Sequence, residues 1–314
     1  MDRNGTHSSS PAGFTLWLEA LWRFSRPHTI IATSLQVMVC AAFAFGAGFH
    51  DDTALFVLNL LAMTGAGLGL NIYVVGINQL TDISIDRVNK PELPLVSGLL
   101  TPSGAKALVL GGGALSLVAS LYLGLSWALG ASLILLLGTL YSCEPFRLKQ
   151  HAVWSGLVIA ICRGVIFNVT CYATWLSLYP GTAVMDTSRM IAFCSFMFSF
   201  VLSIGIFKDL PDYEGDKSHA ILTYAVRFGL RRSFWAGVAL LSASYSAIIA
   251  LNLSRWGIAQ RSPFLILMIL SLVTLLGSAA SVRKYEKSEF VRFYRLIWGL
   301  FYLGLGAFSS YAIL

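Results

Sequence analysis

Nine apolar runs constrain this chain more than any other feature. They lie at roughly 28–49, 54–77, 104–124, 126–142, 153–178, 188–207, 233–252, 263–282 and 296–314. About 20 apolar residues suffice to carry a helix across roughly 30 Å of hydrocarbon. Inside a bilayer the backbone must satisfy its own polar groups, so only helices or a closed barrel can span. A barrel would show short alternating segments, whereas these runs are continuous, which selects helices. The mean hydropathy of +0.72 and the 56% hydrophobic content agree, because a soluble domain of 314 residues could not hide so much apolar surface. The expected fold is therefore all-α, a polytopic membrane bundle of about nine transmembrane helices. The third and fourth runs are separated only within "YLGLSWALGA", so that boundary is soft.

Charge sets the orientation. With the N-terminus on side one, that side collects 18 of the 22 Lys and Arg. Side two holds only Arg189, Arg255 and Arg261, and Arg163 lies inside the fifth run. Such a bias marks the cytosolic side, so the N-terminus is expected there. The formal charge of +7 is thus mostly a topology signal, and with no separate basic domain a nucleic-acid partner is not expected. Residues 1–22 begin polar and rich in small side chains, and read as a disordered cytosolic arm. Residues 23–314 form a single membrane domain. No apolar run precedes the first span and no long leader rich in Ser and Arg is present, so neither a cleavable secretory signal nor an organellar transit peptide is expected. The natural setting is the lipid bilayer, an endoplasmic-reticulum-type membrane in a eukaryotic cell, with no obligate protein partner. Five cysteines at positions 40, 143, 162, 171 and 194 show no metal-binding spacing and read as small buried hydrophobes.

Against this background the acids are concentrated. Seven of fifteen Asp and Glu fall within 82–92 and 209–216, both on side one. Asn78, Asp82 and Asp86 are spaced i, i+4, i+8, one face of a helix that continues the second span. Asp209, Asp212 and Asp216 are spaced i, i+3, i+7, although Pro211 and Gly215 between them argue for an irregular backbone. The segments "NQLTDISIDR" and "KDLPDYEGDK" align at an offset of 130 residues, pairing Asp82 with Asp212 and Asp86 with Asp216. A solvated loop with capping acids explains one such cluster better than it explains two matched ones. Carboxylates held together repel and resist ionisation, a cost that divalent cations offset. Mg²⁺ takes a few carboxylates, waters and phosphate oxygens, so two facing acidic walls suit a diphosphate carried as its magnesium complex. Lys208, Arg87, Lys90 and Arg227 are near enough in sequence to donate to phosphate oxygens.

These segments resemble the signatures of the UbiA superfamily of membrane prenyltransferases. "NQLTDISIDRVNKPELPLVSG" resembles its NxxxDxxxD motif, and "KDLPDYEGDKSHAILTYAVRFG" its DxxDxxxD motif. The details are most similar to the homogentisate prenyltransferase branch, and the resemblance extends over residues 20–314. It implies a nine-helix bundle whose central cavity opens to the cytosolic side. It also implies that Asn78, Asp82 and Asp86 hold one Mg²⁺-diphosphate contact and Asp209, Asp212 and Asp216 the other. Lys208 with Arg147 or Lys149 would hold phosphate oxygens, Tyr141 would lie beside the diphosphate or nascent cation, and Arg26 would face the acceptor. Two departures, Glu144 in "YSCEPFRLK" and Gly299 near the end, put the acceptor pocket in question.

The resulting expectation is a Mg²⁺-dependent aromatic prenyltransferase, with Asp82, Asp86, Asp212, Asp216 and Tyr141 as the catalytic group. It joins a farnesyl, geranylgeranyl or phytyl chain from its diphosphate to a ring carbon of a phenolic acceptor. An orsellinate-like acceptor in secondary metabolism is preferred, with a homogentisate or quinone-pathway enzyme as the alternative. An intramembrane terpene cyclase and a cation-coupled transporter are the rivals, although a transporter would place its acids nearer the bilayer midplane. Arg163, a charge inside a span, is read as acceptor-binding, with pairing to a carbonyl or acid as the structural alternative. Asn71 and Asn168 fit helix–helix hydrogen bonding equally well. "GAGLG" (65–69) and "GGGALS" (111–116) read as close-packing contacts rather than phosphate loops.

Overall fold

The computed structural model describes residues 11–45, 52–180, 187–218, 221–255 and 262–313. It opens with α1 (Pro11–Phe24), followed by the long helices α2 (Pro27–Phe45) and α3 (Thr53–Thr81). The short α4 (Ile83–Asn89) and α5 (Pro94–Ser97) lead to α6 (Pro102–Leu123) and α7 (Leu125–Ser142). Next, α8 (Ala152–Ile159) and α9 (Phe167–Leu178) are joined through a π-helical segment, Ala160–Ile166. Then come α10 (Thr187–Asp209), the short α11 (Tyr213–Ser218) and α12 (Tyr224–Phe228), α13 (Leu230–Arg255), α14 (Ser262–Ser281) and α15 (Lys287–Ile313).

Eight segments among the described residues are long and apolar enough to cross a membrane: α2, α3, α6, α7, Ala152–Leu178, α10, α13 and α14. The ninth expected run, 296–314, falls in α15, whose first turns carry Lys287, Glu289, Arg292 and Arg295. Residues 46–49 of the first run, Arg261 and Leu314 lie outside the described residues. The protein is a multi-pass integral membrane protein. Its helices form a closed ring: α2 packs on α3, α9 and α15, and α13, α14 and α15 follow one another back to α2. Helix α10 closes the ring between the π-helical segment and α13, with 72% of its apolar window buried against 28% for α6 at the edge. Leu110, Leu121, Leu125 and Leu129 on α6 and α7 are exposed outward, as lipid contact requires.

Local chemistry explains the boundaries. The Asp52 side chain caps α3 by accepting from the Leu55 N–H at 2.9 Å, and Thr101 caps α6 by accepting from the Gly104 N–H at 3.1 Å. Gly124 resolves the soft boundary between the third and fourth runs: its φ of 87° breaks the helix between Leu123 and Leu125. Gly69 and Gly112 let α3 and α6 approach so closely that a Cβ on Gly69 would stand 2.5 Å from the Gly112 carbonyl oxygen. The small-residue segments therefore work as packing surfaces, as expected.

One expectation needs correcting. The 1–22 arm is not disordered throughout, because α1 begins at Pro11; residues 1–10 lie outside the described residues. Ala20 and Phe24, at i, i+4, bury against Leu95, Leu100, Ala105 and Val109, and Glu19 pairs with Arg23 at 2.7 Å. The polar, small-residue character of the first residues gives way to a helical period in "FTLWLEALWRF", which α1 follows.

Candidate active site

The two acidic segments share one backbone plan. Helix α3 stops at Thr81, Asp82 sits in the break with φ −115° and ψ 14°, and α4 resumes at Ile83. Helix α10 stops at Asp209, the chain turns through Leu210–Asp212, and α11 resumes at Tyr213. The Asp86 N–H donates to the Asp82 carbonyl at 2.8 Å, and the Asp216 N–H to the Asp212 carbonyl at 2.9 Å. The expected single helix through Asn78, Asp82 and Asp86 is therefore interrupted, and the aligned acid of each motif stands at the interruption. Pro211 explains the second break, since it removes a backbone donor; the first break carries no proline.

Side chains knit the two arms together. Lys90 on the first arm pairs with Asp212 on the second at 2.7 Å, and Asn89 Nδ2 donates to Asp216 Oδ1 at 3.3 Å. Gly215 lies directly against Asn89, where any Cβ would collide with the Asn89 side-chain oxygen. Asn89 escaped the sequence reading because it makes no motif of its own. The loop after α7 adds two cations: Lys149 pairs with Asp82 at 2.7 Å and Arg147 pairs with it at 3.2 Å. Lys149 also donates to Thr81 Oγ1 at 2.7 Å, and Lys208 pairs with Asp209 at 3.4 Å.

Electrostatics differ between positions. Burial pushes the Asp216 carboxyl up to about 7, with repulsion from Asp209 and Asp212 adding to it and Lys208 and Lys90 opposing. Burial also raises Asp86, against the opposing charge of Lys90 and Arg26. Lys149 is lowered by burial, an effect that Asp82 partly offsets. Two of the four cations expected from sequence proximity alone do not join the acids. Arg87 is exposed and makes no ion pair among the described residues. Arg227 is exposed and lies over the Phe228 ring at 5.4 Å. Glu92 is exposed.

Beneath the acids lies a cavity of about 210 Å³. Asn78, Lys208 and Tyr141 line its acidic end. It follows α3 down from Asn78 through Val74 and Asn71 to Gly67, about 16 Å of helix. Arg26, His28, Arg163, Phe167, Tyr294 and Trp298 complete its wall. The turn between α1 and α2 is fastened to α3 from two positions: Gln79 Nε2 donates to the Phe24 carbonyl at 2.7 Å and Asn71 Nδ2 to the Ser25 carbonyl at 3.0 Å. Arg26 follows in the left-handed conformation with φ 55°, an uncommon one for a residue with a Cβ.

The π-helical segment carries Arg163 to the cavity wall. Its widened ladder frees carbonyls, and these are taken up by side chains. Asn168 Nδ2 donates to the Gly164 and Arg163 carbonyls at 2.9 and 3.2 Å, and Gln36 Nε2 to the Arg163 carbonyl at 2.9 Å. Such segments recur at functional sites. The Arg163 guanidinium donates through Nη2 to Asn71 at 3.1 Å and to Thr33 at 3.2 Å, while its buried Nη1 has no hydrogen-bond partner among the described residues. Asn71 and Asn168 therefore do bind between helices, and in doing so they position Arg163. The two departures from the family pattern lie elsewhere: Glu144 pairs with Arg147 at 3.4 Å, and Gly299 has open space around it.

Among the described residues no three acids, histidines or cysteines converge as a ready metal site. The donor set is nonetheless all oxygen, from one amide and five carboxylates, and it opens beside a cavity end lined by Lys208. An ion held there must complete its shell with water and phosphate oxygens, which matches the habits of Mg²⁺.

Comparison with known proteins gives the family. A family model described as "UbiA prenyltransferase family" matches residues 35–303. The chain is 35% identical over 294 residues to the probable homogentisate phytyltransferase 1, chloroplastic, of Oryza sativa, covering 91% of this chain and 71% of the relative. It is 35% identical over 295 residues to the homogentisate phytyltransferase of Synechocystis sp., covering 91% and 93%. Among solved structures it is similar to a UbiA homolog from Archaeoglobus fulgidus bound to GPP and Mg²⁺, with a TM-score of 0.63, 20% identity, and coverage of 94% and 99%. The structural likeness establishes the fold.

Proposed function

Since the chain belongs to the UbiA prenyltransferase family and is a membrane prenyltransferase, we propose that it alkylates a phenolic acceptor of the homogentisate kind with a phytyl- or geranylgeranyl-type chain. The names of its relatives favour this acceptor over the orsellinate-like one preferred from sequence. The observation that carries the reading is Arg163: a guanidinium on the cavity wall, braced by Asn71 and Thr33, with Nη1 unpartnered. A buried cation without a partner is costly. The carboxylate of an arylacetate acceptor would supply one, in the bidentate geometry that suits Arg.

The remaining parts take roles by position. Asn78, Asp82, Asp86, Asp209, Asp212 and Asp216 would hold Mg²⁺, which when bound neutralises the leaving diphosphate. Lys208, Lys90, Lys149 and Arg147 stand among those acids and would donate to phosphate oxygens. Tyr141, Phe167, Tyr294 and Trp298 line the space where the allylic cation forms, and their ring faces would shield it from water. Arg26 would assist Arg163 at the acceptor.

Membranes carrying the protein, given homogentisate, phytyl diphosphate and Mg²⁺, should form a prenylated aromatic product detectable by mass spectrometry. Arg163→Ala should raise the KM for homogentisate roughly a hundredfold, near the 2–5 kcal/mol of a truncated buried charge pair, and leave the KM for the diphosphate unchanged. Equal KM values for homogentisate in the two proteins would remove Arg163 from the acceptor site. A hydrocarbon or alcohol formed without acceptor would favour the terpene cyclase instead.

A further inference from the structure

Alkylating an aromatic ring leaves one proton to be removed, and nothing in the site described so far takes it. The acids stand beyond the Asn78 end, and among the described residues no carboxylate lines the cavity itself. Apart from one residue, the ionisable side chains on its wall are two guanidiniums, an ammonium, two phenols and a thiol. All of these ordinarily hold their protons at neutral pH. The exception is His28, whose imidazole, in its neutral form beside the Arg26 and Arg163 guanidiniums of the same wall, keeps one ring nitrogen as a proton acceptor.

His28 is also held in place. Its ring meets Trp298 edge to face, with centroids 4.6 Å apart at 62°. Its backbone carbonyl accepts from the Tyr302 hydroxyl at 2.9 Å, which ties the first turn of α2 to α15. On the other side, the carbonyls of Phe24 and Ser25 are pinned to α3. Two helices thus fix the backbone around His28, two residues beyond Arg26 and on the same cavity wall as Arg163. A base positioned in this way needs little reorganisation when the proton is released.

We propose that His28 is the general base that takes the ring proton of the acceptor. The inference rests on the aromatic prenyl-transfer reading. In the step, a π pair of the acceptor ring forms the new C–C bond, and the allylic C–O bond breaks with its pair going to diphosphate. The ring C–H bond at the alkylated carbon then breaks. Its electrons restore the aromatic ring, and the proton passes to an imidazole nitrogen of His28, from which solvent removes it after product leaves.

The test compares wild type, His28→Gly and His28→Gln in membranes, with homogentisate either unlabelled or deuterated on the ring. Both variants should lose about a hundredfold in kcat, in the range set by general-base catalysis, with the KM for homogentisate within about twofold. Ring deuteration should slow the variants and leave wild type unaffected, because only in the variants does C–H cleavage become limiting. Added imidazole should restore part of the His28→Gly rate. Unchanged kcat would overturn the proposal and assign the proton to water or diphosphate. A loss with neither an isotope effect nor imidazole rescue would also overturn it, marking His28 as structural. Wild type that alkylates no aromatic acceptor at all would remove the underlying reading along with it.

Discussion

The two acidic arms are copies in backbone and differ in the source of the cations that meet their acids. In each, a long membrane helix stops, an aspartate occupies the break, and a short helix resumes, closed by the same hydrogen bond from Asp86 to Asp82 and from Asp216 to Asp212. On the first arm Asp82 is held by two cations, Lys149 and Arg147, from a neighbouring loop. On the second, Lys208 pairs with Asp209, Asp212 takes Lys90 from the first arm, and Asp216 accepts from the Asn89 amide. Internal symmetry has therefore fixed geometry and left compensation free to diverge. On both arms burial raises the acid of the short helix, Asp86 on the first and Asp216, pushed up to about 7, on the second, where Asp209 and Asp212 add repulsion.

The largest break removes the acid at either interruption. Asp82→Ala and Asp212→Ala should each lower turnover by about a thousandfold, the scale of losing a group that stabilises developing charge. Both proteins should remain in the membrane. Full turnover in either would detach that arm from the diphosphate.

Proton competition separates the arms more finely. An ion held by Asp216, as proposed, would need its carboxylate, and below about pH 7 that group is largely protonated. The Mg²⁺ concentration giving half-maximal rate should therefore fall as pH rises through that value, by up to about tenfold per pH unit below it. It should level off above. A titration that is flat between pH 6 and pH 8, roughly the span that brackets the shift, would place Asp216 outside the metal site.

The smallest contrast lies in the lysines. Lys149 is 10% exposed and Lys90 38%, so solvent screens Lys90 more. Lys149→Met should raise the KM for the prenyl diphosphate about tenfold and Lys90→Met about threefold, on the scale where 1.4 kcal/mol is one decade. Steady-state kinetics with saturating acceptor would measure both, and the reverse order would show that the bridging cation matters more than the buried one.

Much of this architecture was legible in the chain. Apolar runs marked eight of the nine expected spans among the described residues, because a bilayer imposes its thickness on any sequence that crosses it. Asn78, Asp82, Asp86, Asp209, Asp212 and Asp216 stood out because acids are scarce here and expensive to cluster. Proximity in sequence served less well for cations: Arg87 is as near to Asp86 as a residue can be, yet is exposed, while Arg147 and Lys149 cross from a distant loop to reach Asp82. The resemblance to a known family found that pair, where local spacing could not. Asn89 had no signal, since its role depends on contact with Gly215 on the far arm.

The sequence by itself determined the solvent this protein lives in, the place of most of its spanning helices, and the clustering of its acids in two matched segments. Those properties follow from hydropathy, charge and period, which act along the chain. Only the tertiary structure decided which cations meet which acids, that a π-helical segment brings Arg163 to the cavity wall, and that His28 is clamped there by α15. These depend on side chains far apart in the chain, Asp82 with Lys149 and His28 with Trp298 among them, meeting across packed helices, and no local pattern encodes such a meeting.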